Sequence, residues 1–272
     1  MHHYIKKAWA FILGTTLISA CSANFAATVS AGSNIYKGKI TAATPNVAAN
    51  PNPLGKFFAG SFSGSADLTS NYVFRGISES NNNPVVQGSL TYSLQTTGIY
   101  FNVWGSTVDF LDNQGKRARI ELDTSIGIAN PITDNANYDI SLARYNYPNA
   151  GAADYNELIV IANYQFLEGT IGYSPNAYNS HKTGIYYQLG LNYDLPVPAK
   201  YSYFQGISMS ATVGHYSLPK SAGLDSYNDY SVTVSKKISN YILSLGWTGT
   251  DGRAHDAPLD NNHIVGTVAV NF

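Results

Sequence analysis

The sequence predicts an all-β chain folded as a single antiparallel transmembrane β-barrel of about 12 strands, with short periplasmic turns and longer extracellular loops. Three observations carry this. From Ser61 onward, apolar and polar residues alternate with period two in segments of about ten residues, each followed by a polar break. Charged residues make up only 12% of the 272, against roughly 25% in soluble domains. The last segment ends in Phe272, the terminal aromatic read by the bacterial barrel-assembly machinery, with Ile264, Val268 and Val270 on its face.

The elements follow in order. Residues 1–26 form a secretory signal: Lys6 and Lys7 give a positive start, and the apolar core from Ala8 to Ala20 is shorter than the ~20 residues of a membrane-spanning helix. Two processing routes stay open. Ile18-Ser19-Ala20-Cys21 matches a lipoprotein box that would lipidate Cys21, whereas a general peptidase would cut after Ala23 or Ala26. Cys21 is the one cysteine, so the exported part has no disulfide to rely on. Residues 27–60 are small, polar and without period, with Pro45, Pro51 and Pro53, and read as a flexible periplasmic arm.

Residues 61–272 are the barrel. Its alternating segments centre near Leu68, Leu90, Phe101, Leu122, Leu142, Val160, Ile171, Leu189, Ala211, Val232, Leu245 and Val268. Twelve is an even number, as a closed antiparallel barrel with both termini on one side requires. Tight connections at 95–98, 133–137, 167–169 and 236–240 alternate with longer polar loops at 76–84, 111–116, 148–154, 179–184, 218–226 and 251–262. The connection 195–205 should be short by this rule and is long. Backbone polar groups cannot stay unpaired in hydrocarbon, so strands that cross a membrane must close on themselves. Tyr72, Tyr100, Tyr138, Tyr164, Tyr193 and Tyr241, at segment ends, are expected to form interfacial girdles.

Two blocks stand out within this rhythm. Asn71-Tyr72-Val73-Phe74-Arg75-Gly76-Ile77-Ser78-Glu79-Ser80 leads into Pro84-Val85-Val86-Gln87-Gly88. Tyr100-Phe101-Asn102-Val103-Trp104-Gly105-Ser106 leads through Val108-Asp109-Phe110 to Glu121-Leu122-Asp123. In these blocks the chain resembles the TorF-family porins, bacterial outer-membrane proteins. The resemblance implies a porin without implying its solute, and the long start before Ser61 departs from the family.

Segment parity places Asp67, Arg75, Arg119, Glu121, Asp123, Asp139, Glu157, Asp194, Asp229 and His263 in the lumen. Seven acids face two arginines and a histidine, so a pore would lean weakly towards cations; the same charges would equally serve as pairs tying strands together. Arg144 breaks the parity of its strand. At the bilayer midplane it would cost ~2–4 kcal/mol, so a bulge or a rim position is expected.

The expected function is a porin-like channel for passive diffusion of small hydrophilic solutes or ions, with outer-membrane lipid and the assembly machinery as partners and no cofactor. The alternative is a closed barrel whose loops bind a surface. A lipase is the weaker third reading, since Ser208 or Ser210 with His215 lacks a nucleophile elbow. His255, Asp256 and His263 lack fixed metal-ligand spacing. No basic cluster suggests a nucleic-acid partner.

Overall fold

The computed structural model describes residues 59–94, 97–219, 225–252, 259 and 261–272. Among the described residues fourteen strands follow one another: Gly60–Thr69 (β1), Val73–Phe74 (β2), Ile77–Ser78 (β3), Val85–Leu94 (β4), Ile99–Leu111 (β5), Arg117–Thr133 (β6), Ala136–Tyr145 (β7), Tyr155–Tyr164 (β8), Leu167–Ser174 (β9), Gly184–Asp194 (β10), Ile207–Ser217 (β11), Tyr227–Ile238 (β12), Tyr241–Thr250 (β13) and His263–Asn271 (β14). Twelve of them close into one antiparallel barrel in the order β1-β14-β13-β12-β11-β10-β9-β8-β7-β6-β5-β4. Every predicted segment centre lies in a different barrel strand.

The seam is made by β1, which pairs with β4 from Gly60 to Thr69 and with β14 from Ser65 to Thr69. Beyond Ser65 the pairing continues through reciprocal backbone bonds between Gly64 and Phe272, at 2.8 and 3.0 Å. With no free edge, the sheet leaves no unpaired row of N–H and C=O groups to face lipid.

Alternation sorts the side chains to two sides of the wall. Leu68, Leu90, Phe101, Leu122, Ile126, Leu142, Leu158, Ile171, Leu189, Val213, Val232, Leu245 and Val268 all point outward and are exposed. Such a surface is unsuited to water and suited to hydrocarbon. Strands of about ten residues at ~3.3 Å rise, tilted ~40°, cover the ~25 Å apolar band of an outer-membrane barrel. The chain is therefore a transmembrane barrel of the bacterial outer-membrane kind. Among the described residues no helix is long and apolar enough to cross a membrane.

Connections alternate in length around the barrel. At the end that carries the seam's start and Phe272, β6 turns into β7 through 134–135, β8 into β9 through 165–166, and β12 into β13 through 239–240. The turn expected at 167–169 belongs instead to β9, because Gln165, at φ 54°, turns the chain earlier. The long exception, 195–206, carries a 3-10 segment at Ala199–Phe204. Tyr164, Tyr193 and Tyr241 are exposed on this rim, as interfacial aromatics should be. Tyr72 and Tyr100 are not girdle residues: both are buried inside, Tyr100 donating to Asp139 at 2.9 Å.

One connection does not stay outside. Between β1 and β4 the chain folds inward as the β2–β3 hairpin and occupies the half of the lumen away from Phe272. Phe74 and Ile77 on this hairpin pack with Tyr72, Trp104, Val108, Phe110, Tyr145, Tyr147, Tyr155 and Tyr178 into the buried core. The barrel therefore keeps its core inside its wall, in the half away from Phe272.

Candidate functional site: the plugged lumen

The hairpin that enters the lumen is a two-residue turn, Arg75–Gly76, with φ of 44° and 83°. Both central residues lie in the left-handed region, the signature of a type I′ turn, which favours Asn-Gly. Gly76 is required twice over. Its φ strains any side chain, and a Cβ there would lie 2.5 Å from the Gly249 carbonyl oxygen of β13. The hairpin tip thus rests directly on the wall at β13, two strands round from β1.

Polar side chains hold its base. Asn71 Oδ1 accepts from Ser78 Oγ at 2.7 Å and Ser80 Oγ at 2.9 Å, while Asn71 Nδ2 donates to Asn82 at 3.0 Å. The backbone N–H of Glu79 donates to Tyr72 O, and that of Asp109 in β5 donates to Glu79 O at 2.8 Å. Most of the decapeptide that suggested the family resemblance is this plug.

At the tip, Arg75 Nη2 donates to both oxygens of Glu157 on β8, at 2.9 and 3.0 Å, with both side chains almost fully buried. Tyr145 donates to the same carboxylate at 2.9 Å. The guanidinium carbon lies 3.9 Å from the ring centroid of Tyr186 (β10), 4.8 Å from Tyr216 (β11) and 4.5 Å from Phe74. These are cation–π distances. Room for the ion pair comes from Gly172 on β9, where a Cβ would sit 2.6 Å from Glu157 Oε1 and 3.0 Å from Arg75 Nη2. A chain of ring contacts, Tyr145–Tyr155–Tyr178–Tyr216 and then Tyr186 or Tyr227, with centroids 4.3 to 6.1 Å apart, continues across the lumen. Tyr178 comes from the loop after β9; burial first, and then its neighbour Tyr216, pushes its hydroxyl well above the ordinary 10.

On the Phe272 side of the plug the lumen stays open, as a polar cavity of about 730 Å³. Its wall carries Asp67, Glu168, Asp194 and Asp229 with Lys237, among Ser65, Ser208, Ser210, Thr212, Ser231, Thr233 and Ser244, and Arg75 with Gly76 forms its blind end.

The parity-derived residues divide accordingly. Asp67, Asp194 and Asp229 line the cavity. Arg75 lines its end, although from the plug and not from the wall. Glu157 holds the plug. Glu121, Asp123 and Asp139 point inward but are buried, Glu121 accepting from Tyr147 at 2.6 Å. His263 points inward near the far end, its Nε2 2.9 Å from Leu259 O. Arg119 is a correction. The β5–β6 register shifts between Thr107 and Phe110, so Arg119 leaves the lumen face and sits exposed at the outer rim, 3.1 Å from Asp109. Arg144 is also at the rim, paired with Asp154 at 2.9 Å. Glu168 is absent from the parity-derived set because the sequence places a turn at 167–169; only the position of Gln165-Phe166 reveals it.

Ser208 and Ser210 line the cavity, whereas His215 is exposed and bonded to Asn228. The wall separates them, so no serine–histidine pair forms. Cys21, His255 and Asp256 lie outside the described residues.

A family model described as "Bacterial protein of unknown function (Gcw_chp)" matches residues 59–268, nearly the whole barrel. The chain belongs to the Gcw_chp family. Among curated proteins no match is significant. Among solved structures, the Gcw_chp barrel is similar to "KdgM porin" (TM-score 0.49, 6% identity) and to "KdgM porin in complex with disordered oligogalacturonate" (TM-score 0.49, 7% identity), each over 77% of this chain and 98% of the other. It is also similar to "the outer membrane protein opdK from Pseudomonas aeruginosa" (TM-score 0.38, 11% identity), over 70% of this chain and 58% of that one.

Proposed function

We propose that this barrel is an outer-membrane channel for passive passage of small hydrophilic solutes, held shut at rest by the β2–β3 hairpin. The observation that carries the reading is the cavity. A barrel meant only as an anchor for surface loops has no need of an empty space of about 730 Å³, lined mostly by polar residues and reaching from one mouth to the inserted hairpin. The occluding element is small, and its tip is held by a single ion pair together with the rings of Tyr186 and Tyr216. Weak cation preference belongs to the same proposal, because four acids line the cavity against Lys237 and the sequestered Arg75. Membership of the TorF-family porins, export by the leader at 1–26, and recognition of Phe272 by the assembly machinery complete it.

Burial of the Arg75–Glu157 pair favours a second reading, a permanently sealed barrel that works through its outer loops. Liposome swelling separates the two. Vesicles carrying the wild-type barrel should swell slowly in a small sugar, and those carrying Glu157→Gln should swell severalfold faster. Equal, negligible swelling in both would support the sealed barrel.

A further inference from the structure

Arg75 occupies a site that the barrel builds without help from the hairpin. Glu157, Tyr145, Tyr186 and Tyr216 stand on β8, β7, β10 and β11, and Gly172 on β9 leaves the hollow between them. Only Phe74 comes from the plug itself. A buried carboxylate needs a cation beside it, since breaking such a pair leaves an uncompensated charge away from water. Two ring faces over a planar guanidinium, one of whose nitrogens donates to both carboxylate oxygens, suit delocalised cations better than a compact, strongly hydrated ammonium. The turn adds a further indication. Its first position has φ 44°, where Asn or Gly would be unstrained, and an arginine there is explained by what its side chain reaches.

We propose that Glu157 and the faces of Tyr186 and Tyr216 form a binding site for the guanidinium group of a solute, which Arg75 fills as a tethered stand-in while the lumen is shut. This rests on the channel reading above and names the class of solute for which that channel is selective. The approach is from the open cavity, whose blind end is Arg75 itself. Solute and arginine compete for one carboxylate, so arrival of the solute weakens the hold on the hairpin, and its departure lets Arg75 return.

Calorimetric titration of ethylguanidinium chloride into the full-length barrel in detergent tests this. Arg75→Asn vacates the site and keeps the turn, because Asn tolerates positive φ; Arg75→Gly does the same and serves if the first variant does not assemble. Either should bind ethylguanidinium saturably, at least about tenfold more tightly than the wild type, a difference of about 1.4 kcal/mol. Adding Glu157→Gln to the vacated barrel should abolish the gain. No saturable binding in either vacated barrel, or binding that survives Glu157→Gln, overturns the proposal. Conductance of the same variant separates this claim from the channel itself. Current without ethylguanidinium binding removes the site and leaves the channel, whereas binding without current leaves the site and removes the channel.

Discussion

Gly172 shows how little space the latch has. A methyl group there would press on Glu157 at 2.6 Å and on Arg75 at 3.0 Å, both of them buried and bonded to each other. Gly172→Ala should therefore destabilise the barrel by about 1–3 kcal/mol, the usual cost of overpacking, and loosen the plug. Chemical denaturation followed by tyrosine and tryptophan fluorescence checks this, and an unchanged midpoint would mean that the pair moves aside freely. Glu157→Gln removes the charge and leaves Arg75 buried and unpaired, which should cost more, about 3–5 kcal/mol. Tyr178 gives a pH effect. Its hydroxyl is raised above the ordinary 10 by burial, so the unfolded chain loses that proton before the folded one does. The packing it contributes is complete below pH 10 and is lost as pH rises beyond it, so the plug should loosen in alkali and remain intact in mild acid.

At the level of elements, the wall was legible in the sequence and the plug was not. A strand half in lipid and half in a polar lumen must alternate, and that period survives in Ile185 to Tyr193 or Leu243 to Trp247 without any tertiary information. The strands β2 and β3 have two residues each, too few for a period to show, so Ile77-Ser78 fall within the expected outer loop 76–84 and Arg75 is expected on the wall. Parity also fails at a bulge. The register shift near Phe110 turned Arg119 outward, whereas Glu121 and Asp123, beyond the shift, point inward as expected. Tyrosine misleads for a different reason: its ring and hydroxyl suit an interface as well as a packed lumen, and Tyr72 and Tyr100 took the second place. The two acid sets should behave differently in transport. Asp67→Asn with Asp194→Asn, on the cavity wall, should lower cation preference in zero-current potentials, more so at low salt. Glu121→Gln, sealed under Tyr147, should leave it unchanged. The reverse pattern would put the conduction path on the β5–β7 side of the lumen.

For the whole molecule, closure is what holds the fold together. Twelve paired strands without a disulfide among the described residues should resist detergent when cold and open on boiling, giving two gel mobilities. Phe272 belongs to that closure, since its two backbone bonds to Gly64 extend the seam. Deleting it should reduce the amount of assembled barrel in the outer membrane, and an undiminished amount would show that the seam forms without it. The central claim is that the closed wall encloses a channel and that residues 70–84 shut it. Planar-bilayer recording of the wild type beside a variant in which residues 72–80 are replaced by a short Gly-Ser turn tests this most directly. The account predicts rare, brief openings in the wild type and steady current in the variant, provided both run as heat-modifiable barrels. Silence from an assembled variant lacking the hairpin would contradict it.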